Sequence, residues 1–548
     1  VLDQEAITIR SKRQTYGLRV NVDADVKPWL TISTKLNGSR IHQHNGAPNW
    51  SNVISFSPTM ELMDPETGIY NRDPYNVANA SNPYAEMVVN NSDSYNYNLN
   101  ANLTFLFKIM DGLTLSVQGG YDYLHSPSYS FASQYVAPGA INSASNSSSM
   151  HNYWQNTNNL TWQKTFNKAH TVSLTGVWEL SHTTDTGLTG SGSNLNNESV
   201  GYWNLGNAAI RNASNSYSEA SLVSGIFRAN YDYKKRYFLT AAIRADGSSK
   251  FQGSNRWGYF PSAAGAWDIA KEPFMQRQRV LTQLKLRGSF GVTGNQDISP
   301  YSTLGMLSGA SYGWGTSTAL TGYWGNQFAT PDLTWEKTYQ YDVGLDVSIG
   351  EVDFTFDWFK KHTKDLLFQK QVPRYNGGGT YWVNNGELDN TGVELTVSAF
   401  PVKGSVTWET TFNASYVKNT VRDLAGDDFV LTANYSDLGG ALQIMKPGYP
   451  MGSFYVYQWE GFDENGANLY RTAAGELTTN PTSEDLVIKG QASPKWTFGW
   501  NNNITWRNWT LNIFFNAATG YDRLNISRFR IASMTGNTKF VTLRDAYY

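Results

Sequence analysis

The stretch Tyr16-Gly17-Leu18-Arg19-Val20-Asn21-Val22-Asp23-Ala24 alternates apolar and polar side chains with a period of two. Successive side chains of a β-strand point to opposite faces, so this segment has one apolar and one polar face. A second alternating segment, Leu30 to Asn37, follows after only a few residues around Lys27-Pro28. More than fifty residues rich in Asn, Ser and Pro then precede the next one. The chain therefore begins with one very short connection between strands and one very long connection.

This rhythm of short and long connections continues along the chain. Strands are predicted on both sides of Asp111-Gly112, because Asp-Gly between alternating segments is a strong hairpin signal. About sixteen spanning strands result, each near the ~9–11 residues that a tilted membrane strand requires. Further short turns are predicted at Asn167-Lys168, Lys234-Lys235-Arg236, Gly350-Glu351, Lys403-Gly404 and Arg507-Asn508. Long connections are predicted at Ser126–Met150, Ser181–Tyr217, 295–337 and 418–494, the last with an internal strand at Ser453–Trp459.

Together these features predict an all-β protein, a transmembrane antiparallel β-barrel with long extracellular loops and short periplasmic turns. Composition agrees, because only 16% of the residues are charged, against the ~25% of ordinary soluble domains. Aromatic residues reach 14%, which interfacial girdles of Trp and Tyr would explain. A soluble propeller would also alternate with a period of two, but it would show a repeat of ~40–50 residues, and we see none.

Composition argues against several other classes of protein. The net charge of −2 gives no electrostatic basis for binding nucleic acid. The absence of cysteine excludes a disulfide scaffold and thiol chemistry. No run of about 18 apolar residues predicts a membrane helix. Val1 to Glu5 do not begin a signal peptide, so the N-terminal part of a natural barrel protein is expected to be missing from this sequence.

Several motifs follow one another in a fixed order over most of residues 10–520. They are Arg244-Ala245-Asp246-Gly247-Ser248-Ser249, Asn255-Arg256-Trp257-Gly258, Glu272-Pro273-Phe274, Gly291-Val292-Thr293-Gly294-Asn295-Gln296, Leu333-Thr334-Trp335-Glu336-Lys337, Asn390-Thr391-Gly392-Val393-Glu394 and Pro447-Gly448-Tyr449-Pro450-Met451-Gly452. Each motif alone is weak, but the ordered set resembles the SusC/RagA family of TonB-dependent outer-membrane transporters.

The resemblance implies a barrel of about 22 strands in the outer membrane, closed by an N-terminal plug and driven by TonB. It also implies a SusD-like surface lipoprotein as a lid. The implied function is import of oligosaccharides, or of oligopeptides as in the RagA branch, without catalytic residues or a cofactor. No plug, TonB box or family-type C-terminal strand is found, so residues 1–548 are expected to be a barrel segment. A secreted β-rich adhesin or carbohydrate-binding protein is the alternative from another class.

Aromatic residues in the long loops are the candidate ligand contacts. Sugar C–H faces pack on aromatic rings, while Asn and Asp bind the hydroxyls. The alternative is that these rings pack the loops together or contact the lid protein, since Tyr and Trp are also enriched at protein interfaces. The candidates are Trp203, Tyr312, Trp314, Tyr323, Trp324, Tyr381 and Trp382.

The motifs at 246–249 and 255–258 fall together in one loop. A family-wide motif does not readily encode a variable substrate, so we interpret this loop as structural, held by local hydrogen bonds and a packed Trp257. Contact with substrate is the alternative.

Three other motifs could carry chemistry, but each lacks a required part. Gly309-Ala310-Ser311-Tyr312-Gly313 fits the nucleophile-elbow pattern, yet no helix follows, so a glycine-rich loop is expected. His42 and His44 have no carboxylate or Cys at ligand spacing, which favours a solvated loop over a metal site. Asp463-Glu464-Asn465-Gly466 lacks the later Glu of a calcium loop and is expected to be a turn. The sequence therefore predicts neither a metal site nor a catalytic one.

Overall fold

The computed structural model describes residues 1–56, 60–71, 81–136, 139–275, 277–313, 319–435 and 440–528. Trp314, one of the predicted ligand contacts, lies outside these residues. The described part of the chain consists mainly of strands with two short α-helices, and neither helix has the length and apolar character needed to cross a membrane.

The elements follow in chain order. The strands are β1 (Leu2–Glu5), β2 (Lys12–Lys27), β3 (Leu30–His44), β4 (Asn91–Met110), β5 (Leu113–Ala132), β6 (Ser143–Phe166), β7 (His170–Leu195), β8 (Ala208–Tyr233), β9 (Tyr237–Ser248), β10 (Trp257–Asp268), β11 (Leu281–Asn295), β12 (Met306–Gly313), β13 (Ala319–Gln327), β14 (Glu336–Ile349), β15 (Val352–Lys364), β16 (Leu367–Gln371), β17 (Thr380–Asn384), β18 (Glu387–Val402), β19 (Val406–Asp423), β20 (Val430–Tyr435), β21 (Gly440–Met445), β22 (Ser453–Val456), β23 (Gln458–Phe462), β24 (Asn468–Arg471), β25 (Leu477–Thr478), β26 (Val487–Gln491), β27 (Trp496–Trp506) and β28 (Trp509–Thr519). The α-helices are α1 (Trp50–Ser55) and α2 (Pro83–Val89), and short 3₁₀ helices lie at Gln134–Val136, Glu198–Trp203, Leu205–Asn207, Gly253–Arg256, Ile269–Lys271, Pro273–Met275, Arg374–Asn376 and Ser483–Asp485.

Sixteen of the described strands have at least 11 residues, namely β2–β11, β14, β15, β18, β19, β27 and β28. This count confirms the prediction of about sixteen spanning strands. The six predicted short turns are also confirmed, since each lies between two successive long strands. Gly112 has φ of 77° and Asn167 has φ of 52°, as tight hairpin turns require.

The chain divides into two compact units. The first comprises Val1–Asn159 and Glu179–Leu222 with the described part of Leu524–Tyr548. In this unit β1 to β4 each pair antiparallel with the next strand, as far as β5. One row of paired residues runs through Val20, Leu36, Ala101 and Tyr121, and the adjacent row through Asn21, Lys35, Asn102 and Gly120. The predicted alternation therefore yields one apolar and one polar face shared by four strands.

The second unit comprises Leu160–Trp178 and Val223–Arg523. Its long strands β9, β10, β11, β14, β15, β18, β19, β27 and β28 pair antiparallel in this order. An apolar row crosses five of them, and the adjacent row is polar or small. The apolar row consists of Val343, Trp358, Val393, Tyr416 and Trp496, and the adjacent row of Gly344, Asp357, Glu394, Ser415 and Thr497.

The strands are longer than the alternation predicted. β5 continues to Ala132 and β6 begins at Ser143, so most of the predicted loop Ser126–Met150 is strand. In the same way β7 and β8 take up most of the predicted loop Ser181–Tyr217. Ser- and Asn-rich segments have no apolar face to reveal them, but pairing still satisfies their backbone groups. The predicted strand Ser453–Trp459 is divided between β22 and β23.

Candidate ligand-binding surfaces

Five of the predicted aromatic residues lie in one small sheet of the second unit. Tyr312 is on β12, Tyr323 and Trp324 are on β13, and Tyr381 and Trp382 are on β17. The strand order of this sheet is β12-β13-β17-β16, and we refer to it as the loop sheet. It is formed by the connections 296–335 and 365–386, which leave the long strands at the ends opposite the Gly350-Glu351 turn. The loop sheet is therefore on the side where outer-membrane barrels carry their extracellular loops.

A cleft of about 680 Å³ opens beside the loop sheet. Its lining residues include Trp324, Asn326, Gln371 and Arg374. An aromatic ring together with a few amide and charged groups is a typical lining for a small-ligand site. Among the predicted residues that the structure describes, Trp324 alone lines this cleft. The sequence reasoning missed the three polar residues, because they come from separate segments that meet only in the folded loop sheet.

Three consecutive glycines, Gly377 to Gly379, complete the wall of the cleft. All three have positive φ, which L-residues with a side chain rarely adopt. A Cβ at Gly379 would lie 2.7 Å from the carbonyl oxygen of Gly325, so the close approach of this turn to β13 requires glycine. The Val372 N–H donates to the Gly379 carbonyl at 2.9 Å and closes the turn.

Trp203 occupies a different environment, in the first unit. Its ring centroid is 6.0 Å from that of Tyr129 and 4.9 Å from that of Tyr202. Tyr129 is on the same face of β5 as Tyr121, which belongs to the apolar row. Trp203 therefore packs over an extension of the apolar face, although 76% of its surface is exposed.

His42 and His44 are on β3 and not in a loop, which corrects the prediction from sequence. Nε2 of His42 is 2.9 Å and Nδ1 of His44 is 3.1 Å from Oδ1 of Asp93. The Tyr202 hydroxyl donates to Oδ2 of the same carboxylate at 2.8 Å. Asp93 comes from β4, about fifty residues away, so local spacing could not reveal it.

Asp93 is 18 residues from the end of β4 at the Asp111-Gly112 turn. It is therefore beyond the ~9–11 residues that span the membrane. Burial tends to raise the pKa of Asp93, but hydrogen bonds from His42, Tyr202 and His44 outweigh burial and lower it. Burial and the bond to Asp93 raise the pKa of the Tyr202 hydroxyl. The carboxylate thus holds the segment Glu198–Trp203 to β3 and β4.

The polar face of the first unit carries mainly amide side chains. Asn102 Nδ2 donates to Asn100 Oδ1 at 3.0 Å, and Asn100 in turn donates to Asp122. Asn96 Oδ1 accepts from the Ser126 hydroxyl at 2.7 Å. This side of the strands therefore presents mostly uncharged hydrogen-bonding groups.

The polar face of the second unit carries a cluster of three carboxylates around one guanidinium. Arg287 on β11 has Nη1 2.6 Å from Asp357 on β15 and Nη2 3.2 Å from Asp346 on β14. Asp342 is 3.8 Å from Nη1. Arg287 reaches β15 by crossing over Gly344, where a Cβ would lie 2.4 Å from the guanidinium carbon.

The family-type motifs at 244–258 make contacts within the protein. Arg244 Nε donates to Asp246 at 2.7 Å, and the aspartate is buried. Phe251 is fully buried and packs on Trp335, with ring centroids 5.5 Å apart. Trp257 remains 46% exposed and lies over Gly247. Part of the predicted loop is strand, because β9 continues to Ser248 and β10 begins at Trp257. The contacts favour the structural interpretation of these motifs, with Phe251 and not Trp257 as the buried ring.

The nucleophile-elbow and calcium-loop motifs of the sequence lie in a strand and in a turn. Gly309 to Gly313 belong to β12, which pairs antiparallel with β13, so they form a strand edge and not the predicted loop. The next element that the structure describes is the strand β13, whereas an elbow leads into a helix. Asp463 to Gly466 form the turn between β23 and β24, with Asp463 Oδ1 accepting from the Asn465 N–H at 2.9 Å. Among the described residues, no three His, Asp or Glu side chains are arranged to hold a metal.

Comparison with known sequences gives consistent matches. Residues 29–535 match the sequence family described as TonB dependent receptor-like, beta-barrel. TonB-dependent receptor P3 of Formosa agariphila is 31% identical over 573 residues, covering 98% of this chain and 56% of that protein. TonB-dependent receptor SusC of Bacteroides thetaiotaomicron is 32% identical over 318 residues, covering 54% of this chain and 31% of that protein. The chain thus spans about half the length, or less, of these relatives.

Solved structures show the same fold. A chain in the closed-closed state of the RagAB peptide importer superposes with a TM-score of 0.83 at 20% identity, covering 98% of this chain and 61% of that chain. A chain in the open-open state gives a TM-score of 0.82. At this identity the likeness establishes the fold alone.

Proposed function

We propose that the whole protein imports oligosaccharides, because this chain belongs to the TonB-dependent receptor-like β-barrel family of the outer membrane. The observation that carries the choice of ligand is the cleft beside the loop sheet, which is lined by Trp324 together with Asn326 and Gln371. Sugars offer C–H faces to a ring and hydroxyls to amides, so this set of groups suits them.

The polar faces of the strands support the same ligand class. In the first unit this face carries the linked amides of Asn100 and Asn102. In the second unit Asp346 and Asp357 bind Arg287. Amide and carboxylate oxygens accept hydrogen bonds from hydroxyl groups, and amide N–H groups donate to them, so these faces suit a ligand that is recognised mainly through hydroxyl groups.

In this proposal the other predicted aromatic residues are ligand contacts of the loops. Tyr312, Tyr323, Tyr381 and Trp382 extend the aromatic surface of the loop sheet, and Trp203 offers a second surface on the first unit. The proposal extends to Trp314, which lies outside the described residues. Contact with a lid protein is the competing role for each ring.

The proposed mechanism assigns residues 1–548 to the barrel wall and its loops. A SusD-like surface lipoprotein would cover the loop side and deliver ligand, and TonB would remodel a plug contributed by the remainder of the whole protein. No catalytic residue or cofactor takes part, because import moves the ligand without changing its covalent bonds. The surrounding outer-membrane lipid would contact the apolar rows of the strands.

The test combines growth of a strain that lacks the gene with purification of the whole protein from outer membranes. A strain lacking the gene is grown on neutral and acidic oligosaccharides, and separately on peptides, as the carbon source. We expect loss of growth on at least one oligosaccharide, with growth on peptides unchanged. Purification from outer membranes in mild detergent is expected to yield a stoichiometric surface lipoprotein. Loss of growth on peptides alone would replace the proposal with oligopeptide import.

A further inference from the structure

The cleft beside the loop sheet carries one charged residue in its described lining, Arg374. Among the described residues, no carboxylate lines the cleft and Arg374 forms no ion pair. Lys370 on the same hairpin differs, because its Nζ is 2.6 Å from Asp427. The cleft is therefore positively charged, and the charge is available to a ligand.

Backbone hydrogen bonds close the turn that carries Arg374. The Gly377 N–H donates to the Arg374 carbonyl at 3.1 Å, and the Gly378 N–H donates to the Pro373 carbonyl at 3.3 Å. Gly378 faces the Trp324 ring, where a Cβ would lie 3.7 Å from the nearest ring carbon. The turn that carries Arg374 thus approaches, through Gly378, a tryptophan that is 40% exposed.

We propose that this cleft binds a sugar unit bearing an anionic substituent, a carboxylate or a sulfate. Trp324 would pack on the sugar face, Asn326 and Gln371 would bind its hydroxyls, and Arg374 would bind the anion. A guanidinium forms two parallel hydrogen bonds with such groups, which gives both affinity and orientation. This inference rests on the proposed oligosaccharide function and narrows it to acidic glycans.

The test measures binding to the purified whole protein by titration calorimetry. One panel contains neutral malto-, xylo- and cello-oligosaccharides. The other contains oligogalacturonate, which carries carboxylates only, and κ-carrageenan oligosaccharides, which carry sulfates only. We expect acidic oligosaccharides to bind more tightly than neutral ones, and their affinity to fall as salt rises. Arg374→Gln should weaken acidic binding on the order of tenfold, which corresponds to about 1.4 kcal/mol, because a charge-assisted hydrogen bond is lost.

Matched variants separate the roles. Arg374→Lys should lose less affinity for acidic oligosaccharides than Arg374→Gln. Trp324→Ala should weaken the binding of both acidic and neutral oligosaccharides. Lys489→Gln removes the same charge from an exposed position on β26, outside the cleft lining. It should leave the affinity for both panels of oligosaccharides unchanged. Tighter binding of neutral oligosaccharides, or full acidic affinity in Arg374→Gln, would overturn this inference and leave the oligosaccharide function standing. Binding of peptides with no oligosaccharide bound would overturn both.

Discussion

Gly344 illustrates how one missing side chain permits a contact across three strands. Arg287 passes over it to reach Asp357 two strands away. A methyl group at this position would occupy the space of the guanidinium, because its Cβ would lie 2.4 Å from both the Arg287 carbon and the Asp357 carboxylate. The carboxylates would then be left without their cation, which is costly where groups are partly buried.

We expect Gly344→Ala to lower the free energy of unfolding by roughly 1–3 kcal/mol, the usual cost of overpacking. The measurement is denaturant unfolding of the whole protein folded into lipid vesicles. Gly291→Ala on β11 is the control, because its Cβ would meet its nearest neighbour at an ordinary 3.5 Å. Equal stability of the two variants would show that the Arg287 cluster tolerates displacement.

Val20 and Asn21 test the two faces of β2. Val20 is seven residues from the end of the strand at Lys27, so it is near the middle of the ~9–11 residues that span the membrane. We expect Val20→Arg to cost ~2–4 kcal/mol of folding free energy in lipid, because a charge then faces the hydrocarbon. Asn21→Arg, on the polar face, should cost much less. Similar costs for both variants in vesicle folding assays would contradict the assignment of faces.

At the scale of elements, the segment Glu198–Trp203 is bound to its unit by two carboxylates. Glu198 accepts from the Ser133 hydroxyl at 2.6 Å and from the Asn142 amide at 3.0 Å. Tyr202 donates to Asp93. Phe131 and Leu195 belong to the buried apolar cluster that also contains Tyr202. The segment therefore depends on ionised carboxylates as well as on apolar packing.

This arrangement predicts a pH dependence. The pKa of Asp93 is lowered in the folded protein, so its stabilising contribution is complete above the unfolded pKa of about 3.9 and is lost as pH falls through the folded pKa. Asp93→Asn should therefore increase hydrogen exchange in 198–203 at pH 7, and this difference from wild type should shrink below about pH 4. Asp185→Asn, which removes an exposed partner of His151, is the control. A difference independent of pH would contradict this role for the carboxylate.

The long strands and their short turns could be predicted from sequence, because a two-residue alternation is a local signal. Asp111-Gly112 and Asn167-Lys168 were found in this way. The outer ends of β6, β7 and β8 were missed, since their Ser- and Asn-rich sequences resemble loops. The cleft was missed for a different reason: Trp324 and Arg374 are fifty residues apart and meet only through the pairing of β13 with β17. Long-range pairing of this kind leaves no local pattern.

At the scale of the whole molecule, the exposed apolar rows decide how the protein associates with the membrane. In the apolar row of the second unit, Val343 is 49% exposed and Trp496 is 40% exposed. Large exposed apolar surfaces are typical of contact with lipid or with a partner protein. Each large apolar side chain removed from water contributes ~1.5–3 kcal/mol. The rows in the two units therefore favour lipid, independently of any charged attraction to the membrane surface.

We expect the whole protein to remain with outer membranes through a wash in 1 M salt and to be released only by detergent. Salt at this concentration screens charges beyond ~3 Å, so it removes peripheral proteins, whose release in the same wash is the control. Apolar burial is not weakened by salt, because it depends on area removed from water. Release of the protein by salt alone would mean that its apolar rows contact protein and not lipid, and would restore the secreted β-rich adhesin as the better description.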